Sequence, residues 1–348
     1  MIFIMNSICL FLLNIPEKNS LKNNNILKKM TVNIEQDAAD LRKAMKGLGT
    51  DEDAIIKIVA NRKNSERQQI KESFKKQFNR DLIKDLKSEL RGKLEDVVVG
   101  LFQTPYEYDC SQIKKAMKGM GTDEDALIEI IATRPNWYIQ QIHKTYREMF
   151  GKELITDVSG ELSGELKDLI VSLLQCARDD SFKVDNNVCK EKAESLYKAG
   201  EGKMGTNEKV FYDILIKSNP SEITIINDEY SKLSKKSLIQ AIESEFSGKV
   251  KKLLKTVVYA IINPSEYFAT RVRDAIKGAG TKDTLLMRIL ISRDEVDMNQ
   301  IKECYKKLYD RDMVNDIKND LAGDYKNYGR VMLSLKLKIF FFFFVKKF

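Results

Sequence analysis

The sequence is poor in histidine, proline and tryptophan, and its cysteines are few and scattered. His143 is the only histidine. Ser-His-Asp triads, Cys-His pairs and multi-histidine metal centres are therefore excluded unless this one residue serves them. The five cysteines, Cys9, Cys110, Cys176, Cys189 and Cys304, include no CxxC pair. Such a set gives neither a disulfide framework nor a zinc site, and it fits a reducing compartment. Only five prolines occur in 348 residues, which leaves room for helices and argues against a turn-rich β fold. Walker A, GxSxG and HExxH sequences are missing, so the enzyme classes that they mark lack their signatures. A basic excess is missing too, despite the net charge of +8. Residues 1–29 and 331–348 carry seven of those charges, leaving about +1 for residues 30–330. The part that folds has no electrostatic footprint for nucleic acid.

What is present suits a globular protein with a substantial core: 43% hydrophobic and 32% charged residues. Both ends are apolar. Residues 2–13, IFIMNSICLFLL, have no basic residue before them and no small-residue cleavage site after them. They are too short to span a bilayer. They read as a signal peptide, as a plain extension, or as sequence ahead of a start at Met30. The terminal IFFFFFVKKF is also too short to cross. It reads as a membrane contact or as an incorrect coding end.

The body is a repeat. MKGLGTDEDAI at 45–55 returns as MKGMGTDEDAL at 117–127, GKMGTNEKVF at 202–211 and IKGAGTKDTLL at 276–286. The second glycines, Gly49, Gly121, Gly205 and Gly280, are spaced by 72, 84 and 75 residues. The chain is thus an N-terminal tail (1–33), four units of about 70 residues (34–105, 106–178, 191–263, 264–335), a polar linker (179–190) and an apolar extension (336–348). Each unit reads as about five short helices. In the first, Ala54, Ile55, Ile58 and Val59 form one stripe, Ile70, Phe74 and Phe78 another, and Leu94, Val97, Val98 and Leu101 another. Thr50 stands where an N-cap is wanted, followed by Asp51 and Glu52. No unit has strand and turn chemistry. The expected fold is all-α.

One acid recurs at a fixed distance. Glu89, Glu161, Glu245 and Asp320 each lie 40 residues past the second glycine of a loop, and Gly92, Gly164, Gly248 and Gly323 follow three residues later. A glycine loop alone is an ordinary helix-to-helix turn. With a distant carboxylate it becomes a calcium site. Calcium takes about six to eight hard oxygens in flexible geometry. Three loop carbonyls and a bidentate carboxylate supply about five of them. Water or an outside ligand would complete the shell. One negative charge per site predicts weak intrinsic affinity, ~10⁻⁴–10⁻³ M. A lipid phosphate would fill the open positions, so calcium and anionic lipid should each strengthen the other's binding by the same factor.

KGxGT loops on a fourfold repeat, each with an acid at this distance, resemble the annexin family over roughly residues 34–335. The resemblance implies a slightly curved disc of four five-helix repeats and reversible, calcium-dependent binding to anionic phospholipid. Carried over residue by residue, it implies Ca²⁺ ligation by the carbonyls of Met45, Gly47 and Gly49 with Glu89. The second set is Met117, Gly119, Gly121 and Glu161, and the fourth is Ile276, Gly278, Gly280 and Asp320. The third loop is longer, and its set is Gly200, Lys203, Gly205 and Glu245. Accessory sites would pair Thr50 with Glu52 and Thr122 with Glu124. Met204, at the third loop's tip, reads either as a membrane contact or as a packed loop methionine. Lys43, Lys46, Lys115 and Lys118 flank the loops and read as headgroup contacts or as solvated helix lysines. Asp109, Glu129, Arg134 and Arg288 match the family's polar centre, read as a buried ion-pair network or an ion pathway. Gln112 replaces an acid there, and Ser218 stands where the other repeats have Arg62, Arg134 and Arg293. The family also implies no catalysis, a cytoplasmic protein that is peripheral on membranes, a protein partner for the N-terminal tail, self-assembly on membranes, and export without a signal peptide as an open alternative. The competing reading is a helical scaffold for protein partners whose glycine loops are structural turns.

Overall fold

The computed structural model describes residues 32–321 apart from 48, 182 and 279, together with 329 and 331. The chain divides into a short unit, Met1–Asn33, and a large one, Ile34–Phe348, which holds every helix described here.

The first repeat comprises α1 (Ile34–Ala44), α2 (Glu52–Val59), α3 (Asn64–Phe78), α4 (Leu82–Glu89) and α5 (Gly92–Leu101). The second comprises α6 (Pro105–Ala116), α7 (Glu124–Ala132), α8 (Asn136–Phe150), α9 (Leu154–Glu161) and α10 (Gly164–Leu174). The third comprises α11 (Asn186–Ala199), α12 (Glu208–Lys217), α13 (Pro220–Ser234), α14 (Leu238–Glu245) and α15 (Gly248–Ile262). The fourth comprises α16 (Pro264–Ile276), α17 (Asp283–Arg293), α18 (Met298–Tyr309) and α19 (Met313–Asp320). The fifth helix expected of the fourth repeat, and Gly323, lie outside the described residues. No strand occurs among the described residues.

Local chemistry sets the helix ends. Proline occupies the first turn of α6, α13 and α16, where its missing N–H costs nothing. Thr104 with Glu107, and Asn219 with Glu222, form capping boxes at α6 and α13. The expected N-cap at Thr50 is corrected: Asp51 caps α2 by accepting from the Ala54 N–H, and Asp123 does the same for α7. The carboxylate next in line takes the capping role and leaves the threonine hydroxyl for another partner. The stretch read as a linker is also shorter than expected. Asp185 accepts from the N–H groups of Asn187 and Val188, and α11 starts at Asn186 with Cys189 and Ala193 buried.

In each repeat the first helix packs on the third. The loop between the first two helices and the C-terminus of the fourth come together, which is the arrangement the site needs. Two cores result. One is shared by repeats 1 and 4 and includes Leu41, Ile55, Phe74, Val97, Leu286 and Ile301. The other is shared by repeats 2 and 3 and includes Ile113, Leu127, Tyr146, Phe211, Ile226 and Val257. Among the described residues no helix is long and apolar enough to cross a membrane.

Candidate functional site

Each loop is closed by one backbone bond. The N–H of Asp51 donates to Ala44, that of Asp123 to Ala116, that of Asn207 to Ala199 and that of Lys282 to Ala275, at 2.7–2.9 Å. The glycines make the reversal feasible. Gly119 and Gly121 sit at φ 108° and 93°, in the region that side chains disfavour. In that second loop no backbone N–H among the described residues donates to the carbonyls of Met117, Gly119 or Gly121. These oxygens are not consumed by the loop's own fold.

The four acids are the last residues of α4, α9, α14 and α19. Each one meets its loop. The Thr50 hydroxyl donates to Glu89 at 2.6 Å and the Thr122 hydroxyl to Glu161 at 3.0 Å. Thr206 donates to Glu245 and Thr281 to Asp320 in the same way. The structure thus brings the carboxylate to the loop in all four repeats. The threonine contact was not foreseen, although the signal was in the sequence: a threonine follows the second glycine every time.

The third loop is built differently. A Cβ on Gly200 would lie 3.1 Å from the Glu245 carboxyl carbon, so this glycine lets the chain pass close to the acid. The Gly200 carbonyl accepts from the Lys203 N–H at 3.0 Å. Glu201 is tied down by Lys236 and by the Tyr230 hydroxyl. At the accessory positions, the carbonyls of Thr50 and Thr122 accept from the N–H groups of Glu52 and Glu124. The Glu124 carboxylate also faces Lys249 at 3.5 Å. Met204 is fully exposed, and so is Met120 at the tip of the second loop.

At each loop the described residues offer oxygens: backbone carbonyls and the carboxylate that ends the fourth helix. No group of three or more His, Cys, Asp or Glu side chains that could hold a metal occurs among the described residues. Among the described residues a borderline metal that wants imidazole or thiolate finds no such cluster, whereas carbonyl and carboxylate oxygens are the ligands that a hard cation prefers. Calcium fits.

Away from the loops, Arg134 makes a fork to Asp109 at 2.8 and 3.2 Å. Glu129 binds Arg288 at 2.8 Å and Arg271 at 2.9 Å. The four expected polar residues therefore form two separate pairings, and Arg271 is an additional member. Burial alone would raise the Glu129 carboxyl, but the two guanidinium groups hold it below the ordinary range. Burial would likewise lower Arg134, and Asp109 outweighs it. Arg62 pairs with Asp37 as Arg134 does with Asp109. In the fourth repeat Arg293 pairs with Asp297 at 2.7 Å, four residues along the chain, and also stacks on Phe268, 4.5 Å from its ring centre. In the third, Ser218 accepts from Lys192. The imidazole of His143 lies 2.8 Å from the Leu174 carbonyl, which can only accept, so its Nε2 serves a structural bond.

Four copies of a closed glycine loop, each meeting the carboxylate at the end of its repeat's fourth helix, define a fourfold all-α repeat protein. The annexin family profile matches residues 36–101, 108–173, 191–257 and 267–332, and the chain belongs to the annexin family. Human annexin A7 is 42% identical over 300 residues, which cover 86% of this chain and 61% of that protein. The chain thus spans about three fifths of that relative's length. A solved structure of an annexin A8 mutant aligns with a TM-score of 0.83 at 41% identity, covering 88% of this chain and 95% of the other. The crystal structure of calcium-bound annexin (Sm)1 aligns with a TM-score of 0.77 at 31% identity, covering 88% and 91%.

Proposed function

We propose that this chain binds anionic phospholipid surfaces reversibly through calcium held at its four loops, with no catalytic step. One observation carries the reading: the threonine bond that brings each distant acid to its own loop, repeated four times. The carbonyls of Met45, Gly47 and Gly49 with Glu89 would hold the first ion, and Met117, Gly119 and Gly121 with Glu161 the second. Gly200, Lys203 and Gly205 with Glu245 would hold the third, and Ile276, Gly278 and Gly280 with Asp320 the fourth. Thr50 with Glu52 is the accessory candidate. When bound, the ion supplies positive charge and open coordination positions for a phosphate oxygen. The chain's own part is to keep the carbonyl oxygens converged and the carboxylate aimed. One carboxylate per ion makes each loop weak alone, and four loops on one compact unit make the whole dependent on a surface that offers many phosphates. The calcium-bound state of annexin (Sm)1 supports the choice of ion.

The test is vesicle co-sedimentation of the full chain on phosphatidylserine-containing and neutral liposomes across a calcium series. Binding is expected to need both calcium and anionic lipid and to reverse with chelator. Glu89→Gln, Glu161→Gln, Glu245→Gln and Asp320→Asn combined should abolish it, and each alone should weaken it roughly tenfold or more. A quadruple variant that still sediments with calcium would overturn the ligand assignment. A wild-type chain that stays in the supernatant at millimolar calcium would leave the loops as structural turns and favour the partner-scaffold reading.

A further inference from the structure

Sulfur is distributed unevenly over the described residues. Met45, Met287, Met298 and Met313 are buried, while Met120 and Met204 have relative exposures of 107% and 102%. Both occupy the same place, one residue before the last glycine of their loops. The described thiols are withdrawn. Cys110 and Cys189 are buried, and Cys176 and Cys304 are half-buried. Loss of solvent pushes all four up, Cys110 to about 12, so little thiolate exists to compete for an oxidant.

We propose that Met120 and Met204 form an oxidation-sensitive pair through which a hydroperoxide weakens docking at the second and third loops. The proposal rests on the lipid-binding reading above. A thioether tip is apolar and adaptable, and it suits the shallow acyl boundary beside a bound headgroup. In the oxidation, the sulfur lone pair attacks the terminal oxygen of the hydroperoxide and the O–O bond breaks. A sulfoxide forms, and the proton leaves with the departing oxygen as water or alcohol. Sulfur gives up two electrons and the peroxide accepts them. The sulfoxide is polar and favours water over the boundary. A methionine sulfoxide reductase reverses the step with two thiols, giving methionine, water and a disulfide, whereas thiols without the enzyme leave the sulfoxide in place. The first and fourth loops have Leu48 and Ala279 at this position in the sequence, which peroxide leaves unchanged. Oxidation therefore weakens binding without abolishing it.

The experiment treats the full chain with limiting hydrogen peroxide and maps oxygen addition by peptide mass. Calcium-titrated sedimentation on phosphatidylserine vesicles then compares it with a Met120→Leu, Met204→Leu double variant. Both side chains are exposed, so the variant keeps its core. Oxygen is expected at Met120 and Met204 before any buried methionine. Vesicle binding at fixed calcium should fall roughly tenfold, the worth of withdrawing this much apolar surface from the boundary. The loss should survive dithiothreitol, which reverses thiol oxidation at Cys9 or elsewhere, and be lifted by methionine sulfoxide reductases of both stereospecificities. Peroxide should leave the double variant's binding at the level it had before treatment. Unchanged binding after both methionines are oxidised would overturn the switch and leave the lipid reading standing. Equal loss in the double variant would overturn it as well. An untreated chain that ignores calcium and vesicles would overturn both.

Discussion

Glu129 shows how much one side chain can hold together. Its carboxylate is buried between Arg271 and Arg288, at 2.9 and 2.8 Å, and Glu129 and Arg288 are each only 4% exposed at the side chain. Removing one partner of a buried pairing strands the others without water. Glu129→Ala should therefore cost about 3–5 kcal/mol in denaturant unfolding. Glu148→Ala, at an exposed pair with Lys144, should cost less than about 1 kcal/mol. Equal losses at the two sites would refute the distinction. The same residues mark the limit of what was legible in the sequence. The acid at +40 was legible because duplication repeats it. The threonine contact sat one residue away from that signal and was hidden, because Thr50 and Asp51 are both good caps and a sequence does not say which one caps. Arg271 was not legible because its partner lies 142 residues away, and nothing local about an arginine on a helix announces a distant carboxylate.

Where helices of different repeats meet, corresponding contacts carry different charges. At the start of α5, Lys93 faces Asp283 of α17. At the start of α15, Lys249 faces Glu124 and Asp125 of α7, and Lys252 joins it. The reciprocal contact breaks the pattern. Glu165, at the start of α10, faces Glu208 of α12 around a cavity of about 340 Å³ that Glu245 also lines. The two contacts titrate in opposite senses. Burial would raise Asp125, but Lys249 and Lys252 hold it down at about 2. Its contribution is present above the ordinary Asp value and is lost as pH falls toward about 2. Glu208 is pushed up, by lost solvent and then by Glu165. Its contribution is present below the ordinary Glu value near 4.5 and is lost as pH rises through the raised one. Glu165→Lys should restore the usual pairing and stabilise the chain by about 0.5–1 kcal/mol at neutral pH. The gain should shrink as pH is lowered toward about 4. A pH-independent gain in thermal unfolding would show that the repulsion is not its source. Such contacts escape sequence reading, since the period tells which positions correspond but not which helices touch. The start of α11 was missed for a similar reason: Asp185 is one polar residue among many in that stretch, and only its bonds to Asn187 and Val188 reveal a cap.

Repeat order along the chain differs from repeat order in the cores. Repeats 2 and 3 are neighbours in sequence and share a core, but repeat 1 shares its core with repeat 4. The two are bound by polar contacts as well. The Asn64 N–H donates to Glu295 at 2.6 Å across 231 residues. The all-α class and the four units follow from periodicity, whereas this pairing does not, because four similar stripes offer no preference for partner. Its consequence is a difference in autonomy. Residues 106–263 hold a complete core, while repeat 1 without repeat 4 exposes apolar surface that its own five helices do not cover. A half-built core does not recover the chain entropy that ordering it costs. Truncating the chain after residue 263 should therefore unfold repeat 1 and leave repeats 2 and 3 folded. Hydrogen exchange followed by mass spectrometry is the direct measurement. Amides of α1 to α5 should exchange at nearly unprotected rates, while those of α6 to α15 stay protected. Truncation also removes both arginines that hold Glu129, so the remaining pair of repeats should be weakened. Glu129→Leu should strengthen the truncated chain while weakening the full one. If α1 to α5 kept full protection after the truncation, each repeat would be stable by itself and the shared core would be a packing convenience.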